Sequence, residues 1–226
     1  MRVAVVIPAF QAAGTIGDVV ARTRAAVPEA VVIVVDDGSD DGTGEEAKGS
    51  GGTVVTQPRN RGKGVALRTG IAKACTVGAA VIVTVDADGQ HPPAEIPRLL
   101  QPILEQCADV VLGARKRDGG MPLSRRFTNW LSATLASRIG GQHVNDAQTG
   151  FRAFTREVAG SIRPGGDRYE YEANFLIDAL RAGFRVASVE VPTIYGPRSH
   201  FRSWSDSWRM ARAFARHAGR IVVGAT

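Results

Sequence analysis

Cysteine is almost absent from the chain. Cys75 and Cys107 stand far apart among apolar, helix-patterned neighbours, and are read as buried thiols of a reducing compartment. Long hydrophobic runs are missing too. No stretch approaches the roughly 18 apolar residues that a membrane-spanning helix requires, and the opening MRVAVVIPAF is broken too early, by Pro8, for a signal peptide. Both absences point to a cytoplasmic protein that at most touches a membrane from one side. The basic residues do not interleave with aromatics as stacking platforms do, which argues against a nucleic-acid partner.

Several phosphate and metal signatures are also lacking. "RNRGKGVAL" has no third glycine for a dinucleotide fingerprint, and no G-K-[ST] closes a phosphate loop. A nucleotidyltransferase typically carries a glycine-rich, basic loop after its first strand, whereas "PAFQAAG" has one late glycine and no Lys or Arg. Two Asp-rich stretches resemble calcium loops but fail at the twelfth place. Counting from Asp37 it is Lys48, and from Asp86 it is Pro97, where a bidentate Glu is needed.

What is present is an excess of positive charge and a strict alternation of patterns. Lys and Arg number 28 against 22 acidic residues, a net charge of +6, which suits an acidic partner such as phosphate, nucleotide or an anionic surface. Hydrophobic residues make up 44% of the chain, enough for a sizeable core. Short Val/Ile-rich runs at 3–7, 31–35, 53–56, 80–85 and 109–113 read as buried parallel strands. Helical patterns lie between them at 15–26, 62–77 and 94–106. Past Gly113 the spacing changes: a glycine-containing loop at 116–123, helices at about 124–139 and 170–182 around the turn "DAQTGFRAF", a strand at 185–191, and a final helix at about 205–222. The expectation is one α/β domain over residues 1–226, a mostly parallel sheet with helices on both faces, in which residues from about 114 onward complete the site begun by 1–113.

Ligands of open α/β sheets bind outside the carboxyl ends of the strands. Two acidic clusters fall there: Asp36 and Asp37 in "VIVVDDGSDDGTGEEA", and Asp86 and Asp88 in "VTVDADGQHPP". Carboxylates one residue apart repel and raise each other's pKa unless something neutralises them. A hard cation, Mg²⁺ or Mn²⁺, is the simplest neutraliser. It takes a few carboxylate oxygens and fills its other positions with water and substrate phosphate, so Asp86 and Asp88 are candidate metal ligands beside a diphosphate.

Other residues carry two readings. Asp36 and Asp37 could cap the turn into the next helix. Arg59, Arg61 and Lys63 form a solvated helix start or, since cations oppose the dipole there, mark a bound anion. His91 is a loop residue or a ligand. Asp146 caps the "QTGF" turn or acts as a general base. The helix at 205–222 sets Trp208, Ala211, Ala215, Ala218 and Val222 on one stripe and Arg209, Arg212, Arg216 and Arg220 opposite. That fits a packed surface helix or one docking on anionic lipid.

Together, "VVIPAFQ", "VVIVVDDGSDDGT", "PRNRGKGVALRTGI", "VTVDADGQHPP", "GAR", "DAQTGFRAF" and "EVPTIY" resemble the family 2 glycosyltransferases of GT-A fold. Within them the chain is most similar to the dolichyl-phosphate mannose synthase and polyprenyl-phosphate sugar transferase branch. The resemblance spans about 3–206 and implies inverting, metal-dependent transfer of a sugar from a nucleoside-diphosphate sugar to an acceptor. In the branch it resembles, that acceptor is a polyprenyl phosphate. It implies that Pro8, Val35 and Asp37 hold base and ribose, with Phe10 and Lys63 joining the donor site. Asp86, Ala87, Asp88 and Gln90 form the metal and diphosphate site, Gln90 completing the metal's shell. Arg115 and Arg125 or Arg126 meet phosphates or acceptor, and Arg198 closes over the donor. Two departures stand out. Where the family has P-x-Y-N-E the chain has Pro8, Ala9, Phe10, Gln11 and Ala12, and where its late loop has Ser-Lys the chain has Ser199 and His200. Transfer to a soluble hydroxyl acceptor, with Asp146 as base, and a nucleotide-sugar binding module without catalysis are the alternatives.

Overall fold

The computed structural model describes residues 1–115, 133–134, 136–138, 141–142, 144–168 and 170–192. The loop expected at 116–123, most of the helix at 124–139, the helix at 205–222 and the candidates Arg125, Arg126 and Arg198 lie outside the described residues.

The central apolar runs form strands because they are buried on both faces, whereas the edge strands at 53–56 and 186–191 are only partly covered. β1 (Val3–Ala9), β2 (Val31–Asp36), β3 (Thr53–Thr56), β4 (Val81–Thr84) and β5 (Val110–Arg115) follow the sequence closely, and β7 (Val186–Val191) comes last. Among the described residues one sheet of seven strands runs in the order β3-β2-β1-β4-β6-β5-β7. Its pairs are parallel except those of β6 (Arg152–Thr155), which lies antiparallel between β4 and β5. Sequence reasoning took this segment for part of a turn. A four-residue strand paired on both sides carries no alternation to betray it, and Arg152 in its first position looks like surface.

Helices cover both faces. α1 (Ile16–Ala26) buries Ile16, Val19, Val20 and Thr23, and α4 (Ile96–Leu104, after a 3₁₀ turn at Pro93–Glu95) buries Ile96, Leu99, Leu100 and Ile103. These i, i+3, i+4, i+7 stripes pack with the side chains of Val5, Ile7, Val34 and Val83. On the other face α3 (Lys63–Thr76) and α6 (Glu170–Arg181) meet Val6, Ile33, Val35 and Ile82. Two short helices escaped the sequence reading: α2 (Thr43–Gly49) and α5 (Arg156–Ser161). Neither is long enough to show a periodic stripe. Of the two thiols expected to be buried, Cys75 is half-buried and Cys107 is exposed on the surface beyond α4.

The strand order reverses between β1 and β4, whose pairing sets Val6 opposite Thr84. That is the topological switch point of an open α/β sheet, where a crevice opens at the carboxyl ends. No helix among the described residues is long and apolar enough to cross a membrane.

Candidate active site

The first acidic cluster turns out to be wiring. Asp36 accepts from the Ser39 amide at 3.0 Å, the capping role weighed for it. Ser39 Oγ, Thr43 Oγ1 and Asp41 Oδ2 accept from the amides of Gln11, Ala12 and Ala13. Glu46 spans Gly14 and Gly17, at 2.8 and 3.1 Å. The loop after β1 and the first turn of α1 thus have their orphan N–H groups satisfied by the β2–α2 segment. Gln11, held at φ 51, is part of that arrangement. Pro8 pairs with Val35 across β1 and β2, and Phe10 stands 42% exposed at the end of β1, open to a ligand. Asp37 is buried, and its two oxygens accept from the amides of Arg61 and Gly62 at 2.9 and 2.7 Å. It anchors the loop that launches α3. Gly62 is required there: its φ is 100, and a Cβ would collide with the carbonyl of Asp167.

The second cluster is neutralised by a residue that sequence reasoning had placed at a solvated helix start or a bound anion. Lys63, first residue of α3, brings Nζ to 2.7 Å from Asp86 Oδ1 and 2.8 Å from Glu172 Oε1 on α6. Burial works against the charge of Lys63, but Asp86 and Glu172 outweigh it and raise its pKa above the ordinary lysine value. Burial likewise raises Asp86, and Lys63, His91 and Arg115 more than reverse this, so its carboxyl stays below the usual range. Ala87 is buried, while Asp88 turns the chain by accepting from the Gln90 amide at 3.0 Å. His91 is buried against Phe151, ring centres 5.4 Å apart, with Nδ1 lacking a hydrogen-bond partner. Burial lowers its pKa below the ordinary imidazole value.

Arg115, at the end of β5, forks onto Asp146. Nε reaches Oδ2 at 2.8 Å and Nη2 reaches Oδ1 at 3.2 Å, with the Gln148 amide also donating to Oδ1 at 3.1 Å. Asp146 is fully buried. Burial raises its pKa, and the guanidinium overcomes this and holds the carboxyl below the ordinary value of 3.8. The cap read for Asp146 is therefore present, and the carboxylate is engaged as a clamp on Arg115. Arg152 lies behind, buried, donating to the carbonyls of Thr149, Glu172 and Ala147 and fixing the "DAQTGF" turn. Lys63, Arg115 and Arg152 thereby balance Asp86, Asp146 and Glu172.

These residues fit a divalent cation beside a diphosphate. Among the described residues no three or more His, Cys, Asp or Glu side chains are grouped to hold a metal unaided. The Asp86 side chain nevertheless keeps 23% exposure, with Asp88 two residues on. Two hard carboxylates that leave the remaining positions to phosphate and water are the usual Mg²⁺ arrangement. Gly150 keeps the place open, since a Cβ on it would lie 2.8 Å from both Asp86 oxygens and 2.7 Å from Glu172 Oε1. Gly150→Ala should therefore displace Asp86 and weaken Mn²⁺-dependent nucleotide binding by roughly 10–100-fold, the scale for disturbing the support of a metal ligand. A Mn²⁺ titration in the presence of nucleotide checks this, and an unaltered affinity contradicts it. Glu172 and Gly150 were invisible as site residues in the sequence. The only signal for them was their place in a helix pattern and in the "QTGF" turn.

The family model described as Glycosyl transferase family 2 matches residues 4–163. An undecaprenyl-phosphate mannosyltransferase of Micrococcus luteus is 31% identical over 88% of this chain and 85% of its own. A polyprenol monophosphomannose synthase of Mycolicibacterium smegmatis is 32% identical over 87% and 78%. Among solved structures, glucosyl-3-phosphoglycerate synthase from Mycobacterium tuberculosis superimposes with a TM-score of 0.78 at 26% identity, covering 96% of this chain and 80% of that one. It was crystallised with Mn²⁺, uridine diphosphate and glucosyl-3-phosphoglycerate.

Proposed function

Because the chain belongs to glycosyl transferase family 2, we propose that it transfers a sugar, with inversion, from a nucleoside-diphosphate sugar to a polyprenyl phosphate, using Mg²⁺ or Mn²⁺. The observation that carries the choice of acceptor is the Arg115–Asp146 clamp. An acceptor hydroxyl needs a base to take its proton, and a buried carboxylate locked by a bidentate guanidinium is a poor one. An acceptor phosphate is already ionised and needs none. The names of the sequence relatives, which pair sugars with undecaprenyl and polyprenol phosphates, support the same choice.

In this reading an oxygen of the acceptor phosphate attacks the anomeric carbon from the face opposite the nucleoside diphosphate. The new C–O bond forms as the bond to the diphosphate oxygen breaks, and that electron pair leaves on the diphosphate. When bound, the metal neutralises charge on the departing diphosphate. Asp86 and Asp88 would hold it, with Gln90 at the same turn. Pro8, Phe10, Asp37 and Ala87 line the nucleotide side, Val35 offering only its backbone because its side chain packs in the core, and Lys63 and Arg115 add positive charge where negative charge develops. Arg125, Arg126 and Arg198 are assigned to the phosphates and donor from the sequence alone. Meeting a lipid phosphate requires contact with a membrane surface, for which the arginine-rich stretch at 205–222 is suited.

The test is transfer from nucleotide sugars, offered singly with Mn²⁺, to a short polyprenyl phosphate. The expected product has the opposite anomeric configuration to the donor, and chelation of the metal stops its formation. A second reading has one observation behind it: glucosyl-3-phosphoglycerate synthase was also crystallised with Mn²⁺, uridine diphosphate and phosphoglyceric acid, a small phosphorylated molecule. Transfer confined to a soluble hydroxyl acceptor, abolished by Asp146→Asn with nucleotide binding intact, would replace the lipid reading.

A further inference from the structure

We propose that Lys63 is the built-in counter-ion of the metal site, and that Glu172 takes over its ammonium when a divalent cation occupies Asp86. The inference rests on the metal-dependent reading above and assigns to Glu172, which no sequence motif marks, a positioning role exerted through Lys63.

The geometry is that of one cation shared by two carboxylates. Nζ is equally close to Asp86 and Glu172, at 2.7 and 2.8 Å, and all three side chains are largely withdrawn from water, at 18%, 23% and 9% exposure. A divalent ion arriving at Asp86 meets an ammonium already on one of its oxygens. Two cations that close repel strongly in a site with little water, so metal alone is disfavoured. Glu172 gives the ammonium somewhere to stay. Its Oε1 already lies 2.8 Å from the ammonium, so a small swing of the lysine keeps that contact as the Asp86 contact is given up. The movement is one of the side chain and not of the backbone. The backbone at the start of α3 is pinned by Asp37 through the Gly62 amide and by the Gly64 amide donating to Asp167 at 2.9 Å. The bare Gly150 leaves space beside both carboxylates for the exchange.

Lys63, Arg115 and Arg152 face Asp86, Asp146 and Glu172, and Asp88 adds a fourth carboxylate two residues from Asp86. Metal alone adds positive charge beside Lys63 and diphosphate alone adds negative charge, whereas the two together largely cancel. Lys63 therefore makes metal uptake conditional on the nucleotide, and its ammonium, held by Glu172, remains beside the diphosphate.

Mn²⁺ titration of the full chain without nucleotide, read by the EPR signal of the free ion, tests this through two effects of opposite sign. Lys63→Met should tighten Mn²⁺ binding and Glu172→Gln should weaken it, since Lys63 then loses the carboxylate that holds it away from the metal. Each change should be roughly tenfold or more, the scale on which supporting residues alter metal affinity. Adding uridine or guanosine diphosphate should enhance Mn²⁺ affinity less in Lys63→Met than in the natural chain. Should Lys63→Met fail to fold, Lys63→Met/Glu172→Gln removes one charge of each sign and should still bind Mn²⁺ more tightly than the natural chain. A purely structural ion pair predicts lower stability with unchanged Mn²⁺ affinity, or a shift of the same sign in both variants, and either result overturns the inference alone. Absence of Mn²⁺ binding in the natural chain and every variant, with nucleotide present, overturns the metal reading and this inference with it.

Discussion

Asp86→Asn should lower sugar transfer by about 10³-fold, on the order of 4 kcal/mol of transition-state stabilisation, and abolish the Mn²⁺-dependent part of nucleotide binding. The fold should survive, because Lys63 retains Glu172 as a partner at 2.8 Å and the strand beneath the residue is unchanged. The magnitude follows from what the carboxylate does. As the proposed metal ligand it would act at the point where the diphosphate accumulates charge, and asparagine offers a weaker, uncharged oxygen. Turnover with saturating donor, together with a thermal-shift comparison with and without Mn²⁺, checks the result. Turnover and Mn²⁺-linked stabilisation both equal to the natural chain's would remove Asp86 from the metal site.

Arg115→Met should destabilise the protein by about 3–5 kcal/mol, the range for removing one partner from a buried ion pair. Methionine preserves much of the apolar stem but leaves the buried carboxylate of Asp146 without the guanidinium that forks onto it at 2.8 and 3.2 Å. The pH dependence should reverse as well. In the natural chain the folded-state pKa of Asp146 lies below its ordinary value of 3.8. The pair's contribution is then fully present above the unfolded-state value and is lost as pH falls through the folded one. In the variant burial dominates and lifts the folded-state value above the unfolded one. Stability should then decline as pH rises between the two, because the folded protein holds its proton longer than the unfolded chain. Urea unfolding midpoints across the acid range separate the two cases. A variant with the natural slope and only a small loss of stability would mean that Asp146 is compensated elsewhere.

The sheet was legible in the sequence because buried parallel strands announce themselves locally. Val and Ile runs such as 31–35 are apolar on both faces wherever they stand in the sheet. The stripes of α1 and α4 were legible for the same reason, each being a local record of one covered face. Asp86 and Asp88 could be identified as a constellation because both lie on one short stretch at a strand end.

The sequence by itself therefore determined the α/β alternation, the Asp-x-Asp pair and the family. Only the tertiary structure decided how the charges are partnered. Glu172 reaches Lys63 from another helix, Arg115 reaches Asp146 from the end of β5, and Gly150 matters because two carboxylates pass within 3 Å of where its Cβ would be. The same holds for the Asp36–Glu46 stretch, which looked like a second ligand cluster although Asp37, Asp41 and Glu46 are occupied by backbone amides of residues 13–17 and 61–62. An isolated carboxylate in a sequence has the same composition whether it faces a metal, a lysine or a peptide N–H. Coulombic and hydrogen-bond energies depend on distances of a few ångströms between residues far apart along the chain, and those distances exist only after the sheet has assembled.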